Sequence, residues 1–190
     1  HFQIYNALAA ASICLGLGLK QDSIFKSLSY LQTVPGRMQI VNHPLCKATI
    51  IVDYAHTPNA LENAILAVKK MNVSGKIYTL FGCGGERDHE KRSKMGEVAF
   101  KNSDFTIITD DNPRTEDPSL IRKSIINNNE IAIEIPGRDT AIKKAISFLK
   151  DNDVLIIAGK GHEQTQTIGI ETLPFDDVSV VKNTLDRLNP

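Results

Sequence analysis

Phe105-Thr106-Ile107-Ile108-Thr109-Asp110-Asp111-Asn112-Pro113-Arg114 joins a short apolar run to a dense polar segment. The run 105–108 reads as a buried strand, and Pro113 stiffens the backbone that leaves it. Two acids, an amide and an arginine therefore stand together at a strand end. An arginine fork takes a carboxylate through two parallel hydrogen bonds, while carboxylates and amide oxygens take an ammonium. That inventory suits a zwitterionic amino acid. It also suits an acidic turn that caps the next helix, and the stretch alone does not decide between them.

The elements on either side set the fold class. Strands are expected at 38–41 and 49–53, paired around the turn at His43-Pro44, and at 76–81, 104–109, 131–135, 154–158 and 166–170. Helices are expected at 58–71, 90–101, 119–127, 138–149 and 177–188. Strands alternating with helices imply right-handed crossovers and a mostly parallel sheet of about six strands, with helices on both faces. Ahead of these lie two more helices, at 3–17 and 24–31, the second capped by Asp22 or Ser23. Thr33-Val34-Pro35-Gly36-Arg37 breaks the pattern, so the chain is read as 1–34, a helical remnant of a preceding domain, followed by a domain at 35–190. Two helices alone cannot bury their apolar faces.

Bulk properties exclude several classes. Acids and bases balance at 22 each among 190 residues, so no global field draws in nucleic acid or an anionic membrane. The basic stretch of Lys91, Arg92 and Lys94 is interleaved with acids and reads as a solvated helix face. The three cysteines are odd in number and far apart, with no disulfide framework and no paired metal spacing, which fits a reducing cytoplasm. No apolar run reaches the length of a membrane span. The opening His1-Phe2-Gln3, without a Met, reads as a fragment of something larger.

In open parallel sheets, ligands bind outside the carboxyl ends of the strands. Those ends are loaded here: Asp53-Tyr54-Ala55-His56-Thr57-Pro58, Gly82-Cys83-Gly84-Gly85-Glu86-Arg87-Asp88, the segment from Asp110 to Arg114, Pro136-Gly137-Arg138-Asp139, and Gly159-Lys160-Gly161-His162-Glu163. Each keeps two readings. The glycines at 82–85 form either a dinucleotide-binding turn or a plain tight turn, with Arg87 where a full fingerprint needs glycine. Asp53 either takes a ribose diol or caps the helix after Pro58. His56 is either a general base or a structural turn histidine. Cys83 reads as small rather than reactive, His162-Glu163 is too short for a metal site, and no nucleophile set and no phosphate loop of the G-x-x-x-x-G-K-[ST] type occurs in the chain.

Taken in order, these motifs resemble the Mur ligase family, and within it the branch that adds the third residue of the peptidoglycan stem peptide. His1 to Ala10 is similar to the stretch near the end of that family's central ATPase domain, with Gln3 where the family usually has Asn. Pro35-Gly36-Arg37-Met38 resembles the entry to its Rossmann-like C-terminal domain, and the later clusters follow in the family's order. The resemblance implies an ATP-dependent ligase in which a substrate carboxylate is phosphorylated and an incoming amine attacks the acyl phosphate, with Mg²⁺ offsetting the phosphate charge. It implies meso-diaminopimelate and UDP-MurNAc-L-Ala-D-Glu as partners. It assigns Arg87, Asp111, Asn112, Pro113, Arg114, Gly159 and Glu163 to the amino acid, and Asn6, Arg37, Asp53 and His56 to ATP. The phosphate loop and the magnesium-binding acids of the family would lie in the missing N-terminal and central domains, so no metal ligand is expected in this chain. A buried Arg114 facing the distal carboxylate of diaminopimelate would disfavour lysine by roughly 10³ or more. Another amide-forming ligase, lysine-adding or of the folylpolyglutamate type, is the alternative.

Overall fold

The computed structural model describes residues 2–31, 33–71 and 73–188, with side chains from Ile4 onward. The readings made of His1 and of the Gln3 side chain lie outside the described residues. The chain divides into two compact units, 1–34 and 35–190.

The first unit holds α1 (Phe2–Gly16) and α2 (Gln21–Leu28). Its alanines favour helix because they lose no side-chain freedom, and Gly18, at φ +81°, turns the chain between the two helices. Neither Asp22 nor Ser23 caps α2. Lys20 occupies the cap position without a side-chain bond, and Asp22 lies in the first turn, where its charge complements the helix's positive end. Ala7, Ala10, Ala11, Ile24 and Leu28 line an open apolar cavity of about 570 Å³, and Ile4, Tyr5, Leu8 and Ile13 stay exposed. One pair of helices offers no second layer to cover them.

The second unit runs β1 (Gln39–Asn42), β2 (Thr49–Asp53), α3 (Pro58–Lys69), β3 (Ile77–Phe81), α4 (Glu90–Asn102), β4 (Phe105–Ile108), α5 (Pro118–Ile126), β5 (Ile133–Glu134), α6 (Arg138–Phe148), β6 (Val154–Ala158), β7 (Thr165–Ile168), β8 (Glu171–Pro174) and α7 (Asp177–Leu188). A six-stranded sheet has the order β1-β2-β6-β3-β4-β5. Only β1 is antiparallel to its neighbour. The strands β3 and β6 are buried along their whole length, as the Ile/Leu-rich interior of a parallel sheet requires. On one face Leu61, Ile65, Met95 and Ile125 of α3–α5 cover Ile51, Phe81, Ile108 and Ile156. On the other, Ala141, Ile142, Val181 and Leu185 of α6 and α7 cover Val52, Leu80, Ile107 and Ile157.

This arrangement follows from handedness. The chain steps from β2 to β5 in one direction with α3–α5 on one face, then returns through α6 on the other face to place β6 between β2 and β3. The reversal opens a crevice beyond the carboxyl ends of β6 and its neighbours. Register pairs Asp53 with Ala158, Leu80 with Ile157, Phe81 with Ile108, and Ile108 with Glu134, so the parallel strands end near one common row.

Three expectations need correction. The strand expected at 131–135 shrinks to Ile133–Glu134, because Asn127 and Asn128 take left-handed turns that use up the approach. The strand expected at 166–170 ends at Ile168 and pairs with β8 in a separate hairpin around Gly169, at φ +60°. Arg92 is not part of a solvated face: it is 3% exposed and paired with Glu116 at 2.9 Å.

Candidate functional site

The polar segment after β4 sends its two acids to different partners. Asp110 bonds Arg122 and accepts from the Gly137 amide at 2.8 Å, so it fastens the turn that starts α6. Asp117, not the 110–111 pair, caps α5, through the Ser119 amide at 2.8 Å. Asp111 points instead at Lys160, the first side chain after Gly159 at the end of β6.

Lys160 is fully buried, and its ammonium donates to Asn112 Oδ1 at 3.0 Å, Glu163 Oε2 at 3.1 Å and, at a looser 3.4 Å, Asp111 Oδ1. Three donors thus meet three acceptors. Asn112 Oδ1 also accepts from the Thr167 amide at 3.0 Å, while its Nδ2 donates to Glu163 Oε2 at 3.2 Å. The neighbouring donors fix which way the Asn112 amide faces. Gly159, at φ +112°, leaves room for this: a methyl there would stand 3.2 Å from Asp111 Oδ2. Pro113 is buried, and Arg114 takes a left-handed turn at φ +53°. Its backbone is clamped by β7, the amide donating to Thr167 O at 3.1 Å and the carbonyl accepting from Gly169 at 2.7 Å. Its guanidinium is half-buried and donates through Nη1 to Gly85 O at 2.7 Å. Among the described residues, no carboxylate lies within ion-pair distance of Arg114.

The glycines after β3 serve close packing. A Cβ at Gly82 would meet Thr109 O at 2.5 Å, and one at Gly85 would overlap Pro113 O. Neither glycine needs a positive φ, and α4 begins only at Glu90, so the segment is no dinucleotide turn. Arg87 lies exposed on this loop, with Arg114 Nη1 and Arg87 Cγ at 3.0 and 3.6 Å from where a Gly84 methyl would sit. The two arginines therefore flank one glycine. Beneath the loop, Cys83 is buried against Met95, and burial pushes its thiol up to about 12.

Below the rim, Arg138 is 1% exposed and forms a bidentate ion pair with Asp177, donating to each carboxylate oxygen at 2.7 Å. It also donates to Ala158 O at 2.9 Å and, more weakly, to Asp110 O at 3.5 Å. Burial works against its charge, yet Asp177 outweighs burial and raises the guanidinium's pKa.

The residues read as facing ATP fall into two groups. Asp53 accepts from the Met38 and Ala55 amides at 2.8 Å each, and burial holds its pKa above the usual carboxylate value against those bonds and the Arg37 charge. It does not cap α3; Thr57 does, through the Ala60 amide. Arg37 lies 4.5 Å over the Tyr54 ring, whose centroid is 4.6 Å from that of His56 in an edge-to-face pair and 5.1 Å from that of His162 in a tilted one. His56 Nδ1 is bonded to Tyr54 O at 2.9 Å. Asn6 stands exposed on α1, in the first unit. Among the described residues, no group of three or more His, Cys, Asp or Glu side chains could hold a metal ion, and no helix is long and apolar enough to cross a membrane.

Of the predicted amino-acid residues, the structure brings together Asp111, Asn112, Gly159 and Glu163, with Arg114 adjoining through Asn112 and Gly85. Sequence reasoning missed Lys160, Thr167 and Gln166, whose amide donates to Asp111 O. The sequence carried no clear signal for Lys160: a lysine between two glycines after an apolar strand reads equally well as an exposed loop residue, and only the structure shows it buried against acids.

Comparison with known proteins identifies the surroundings of this site. The family model described as Mur ligase, glutamate ligase domain, matches residues 36–161. The chain is 46% identical over 187 residues to the UDP-N-acetylmuramoyl-L-alanyl-D-glutamate--2,6-diaminopimelate ligase of Agrobacterium fabrum, covering 98% of this chain and 38% of that protein. The protein of the same name from Rickettsia rickettsii is 46% identical over 192 residues, with 100% and 39% covered. A solved structure of a ligase of that name aligns with a TM-score of 0.78 at 35% identity, over 100% of this chain and 39% of that one. The UDP-N-acetylmuramate-alanine ligase of Thermotoga maritima, with a TM-score of 0.67 at 19% identity, shares the fold. The chain thus spans 38–39% of the length of these curated relatives. The chain belongs to the Mur ligase family.

Proposed function

We propose that this chain is the amino-acid-binding part of an ATP-dependent ligase that joins meso-diaminopimelate to UDP-MurNAc-L-Ala-D-Glu in peptidoglycan synthesis. In this reading residues 35–190 form the C-terminal domain, residues 1–34 end the central ATPase domain, and the reaction takes place in the cytoplasm. The observation that carries it is Arg114: a half-buried guanidinium with no carboxylate partner among the described residues, beside two acids and an amide held in fixed orientation.

The chemistry needs position more than it needs a protein nucleophile. Asp111 Oδ2 and Glu163 Oε1 accept no bond among the described residues and are open to solvent. They suit the ammonium of an amino acid, and Arg114 suits its distal carboxylate, with Arg87 alongside. ATP, with Mg²⁺ offsetting its charge, would supply the acyl phosphate on the nucleotide-linked peptide, and both would be held mainly outside this chain. Within it, each Asp53 oxygen keeps a lone pair beyond its amide bond, which fits a ribose diol, and Arg37 and His56 flank the Tyr54 ring nearby.

The test is amino-acid-dependent ADP release by the full-length ligase, with meso-diaminopimelate against L-lysine. Arg114 is half-buried, less enclosed than the sequence suggests, so Arg114→Ala should raise the KM for diaminopimelate about 30- to 300-fold and erase the preference over lysine. Turnover with lysine by the unaltered enzyme would keep the ligase and discard the specificity argument. Turnover with neither would overturn the reading.

A further inference from the structure

Lys160 lies 0% exposed beneath the cluster just described, and no substrate can reach it without displacing its own partners. Its three bonds nevertheless determine what the cluster presents. The ammonium takes Oδ1 of Asp111 and Oε2 of Glu163, and leaves Oδ2 and Oε1 without a partner among the described residues. It also takes Asn112 Oδ1, which turns Asn112 Nδ2 toward Glu163. One buried cation thereby selects the outward oxygen of two carboxylates and the orientation of one amide.

Charge leads to the same conclusion. Asp111 and Glu163 are joined to one ammonium, and both would repel each other without it. Two acids against one lysine leave the cluster one negative charge in excess, which an incoming ammonium would balance. The cations nearest the cluster do not take over this role. Arg138 is committed to Asp177, and Arg114 forms no ion pair with Asp111 or Glu163 among the described residues.

We propose that Lys160 is a positioning residue for the amino-acid site: it touches no substrate, but it orients Asp111, Asn112 and Glu163 so that their free atoms meet the amino acid's ammonium. This rests on the function proposed above. The lysine's place between Gly159 and Gly161 fits that task. Gly159 lets the chain leave β6 at φ +112° close against Asp111, and Gly161 turns it at φ +56° close against Gly36 and Tyr54, two backbone conformations that other residues rarely adopt.

The experiment uses the full-length ligase with Lys160→Met, which removes the charge and every donor. Lys160→Gln keeps similar length and one amide donor group, and replaces the Met variant if that does not accumulate as folded protein. KM is measured separately for diaminopimelate, the UDP-linked dipeptide and ATP, with kcat. The expected result is a rise of roughly 30-fold or more in KM for diaminopimelate, while the other two KM values stay within about threefold of the parent's. A fall in kcat with all three KM values unchanged would mark a merely structural lysine and overturn the proposal, as would no change at all. If the unaltered enzyme turns over lysine and not diaminopimelate, the specificity reading fails, and a selective rise in the KM for lysine still supports Lys160. If the unaltered enzyme uses no amino acid, the proposed function falls and takes this proposal with it.

Discussion

Removing Asp177 should be among the more damaging single changes in the second unit. Asp177 and Arg138 are 0% and 1% exposed, and two bonds of 2.7 Å join them. Asp177→Ala leaves a guanidinium that can neither reach water nor shed its proton, so the cost is that of an uncompensated buried charge, about 3–5 kcal/mol. For a domain of this size each kcal/mol moves Tm by about 2–4 °C, which gives a drop of roughly 6–20 °C. The double variant Arg138→Met/Asp177→Leu should recover most of that loss. It replaces the pair with apolar volume and forfeits chiefly the bonds to Ala158 O and Asp110 O, about 1 kcal/mol each. Urea denaturation of the three proteins at pH 7, followed by circular dichroism, measures both quantities. A cost below about 1 kcal/mol for Asp177→Ala would refute the reasoning, and so would a double variant less stable than the single one.

Two further outcomes follow from local environment. With its thiol pushed up to about 12 by burial, Cys83 should resist iodoacetamide at pH 8 in the folded chain while Cys14 and Cys46, both partly exposed, react; mass spectrometry of the labelled protein counts the adducts, and rapid labelling at Cys83 would contradict its burial. Burial works against Asp104, but the Lys76 bond at 2.8 Å and the Ile77 amide at 2.9 Å outweigh it and hold its pKa below the usual aspartate value. A depressed folded pKa means stability that is present above the unfolded value and lost as pH falls through the folded one. Asp104→Asn should therefore lower stability at pH 7 and flatten the decline below about pH 4, as read from urea midpoints across that range.

The fold was legible wherever burial imposed a pattern. α7 lies at Asp177–Leu188 and β6 at Val154–Ala158, the ranges expected, because the first is an amphipathic helix and the second is apolar throughout. The sequence failed where burial imposes nothing. β8 exposes Glu171, Thr172, Leu173 and Pro174 alike, so it carries no alternation, and it exists only because Gly169 lets the chain fold back on β7. Thr167 and Gln166 could not be assigned to the site for the same reason: they reach Asn112 and Asp111 from a hairpin whose docking no local signal announces.

At the site itself, residue types were legible and partners were not. Asp110 and Asp111 are the same residue one position apart, yet the first is consumed by Arg122 and Gly137 while the second faces Lys160. Leaving a strand, consecutive side chains diverge to opposite sides, so only the register of β4 against β3 and β5 decides which acid meets the crevice. The same holds for cations. Arg92, Arg122 and Arg138 are each spent on neighbouring carboxylates, and Lys160 on Asp111, Asn112 and Glu163. What distinguishes Arg114 from them is not its type or its place at a strand end. The Gly85 carbonyl engages only one of its nitrogens, and the left-handed turn clamped by β7 holds the rest of the fork where no described carboxylate reaches it. In the function proposed above, a cation so fixed and without a described carboxylate partner is the group that would take the incoming carboxylate.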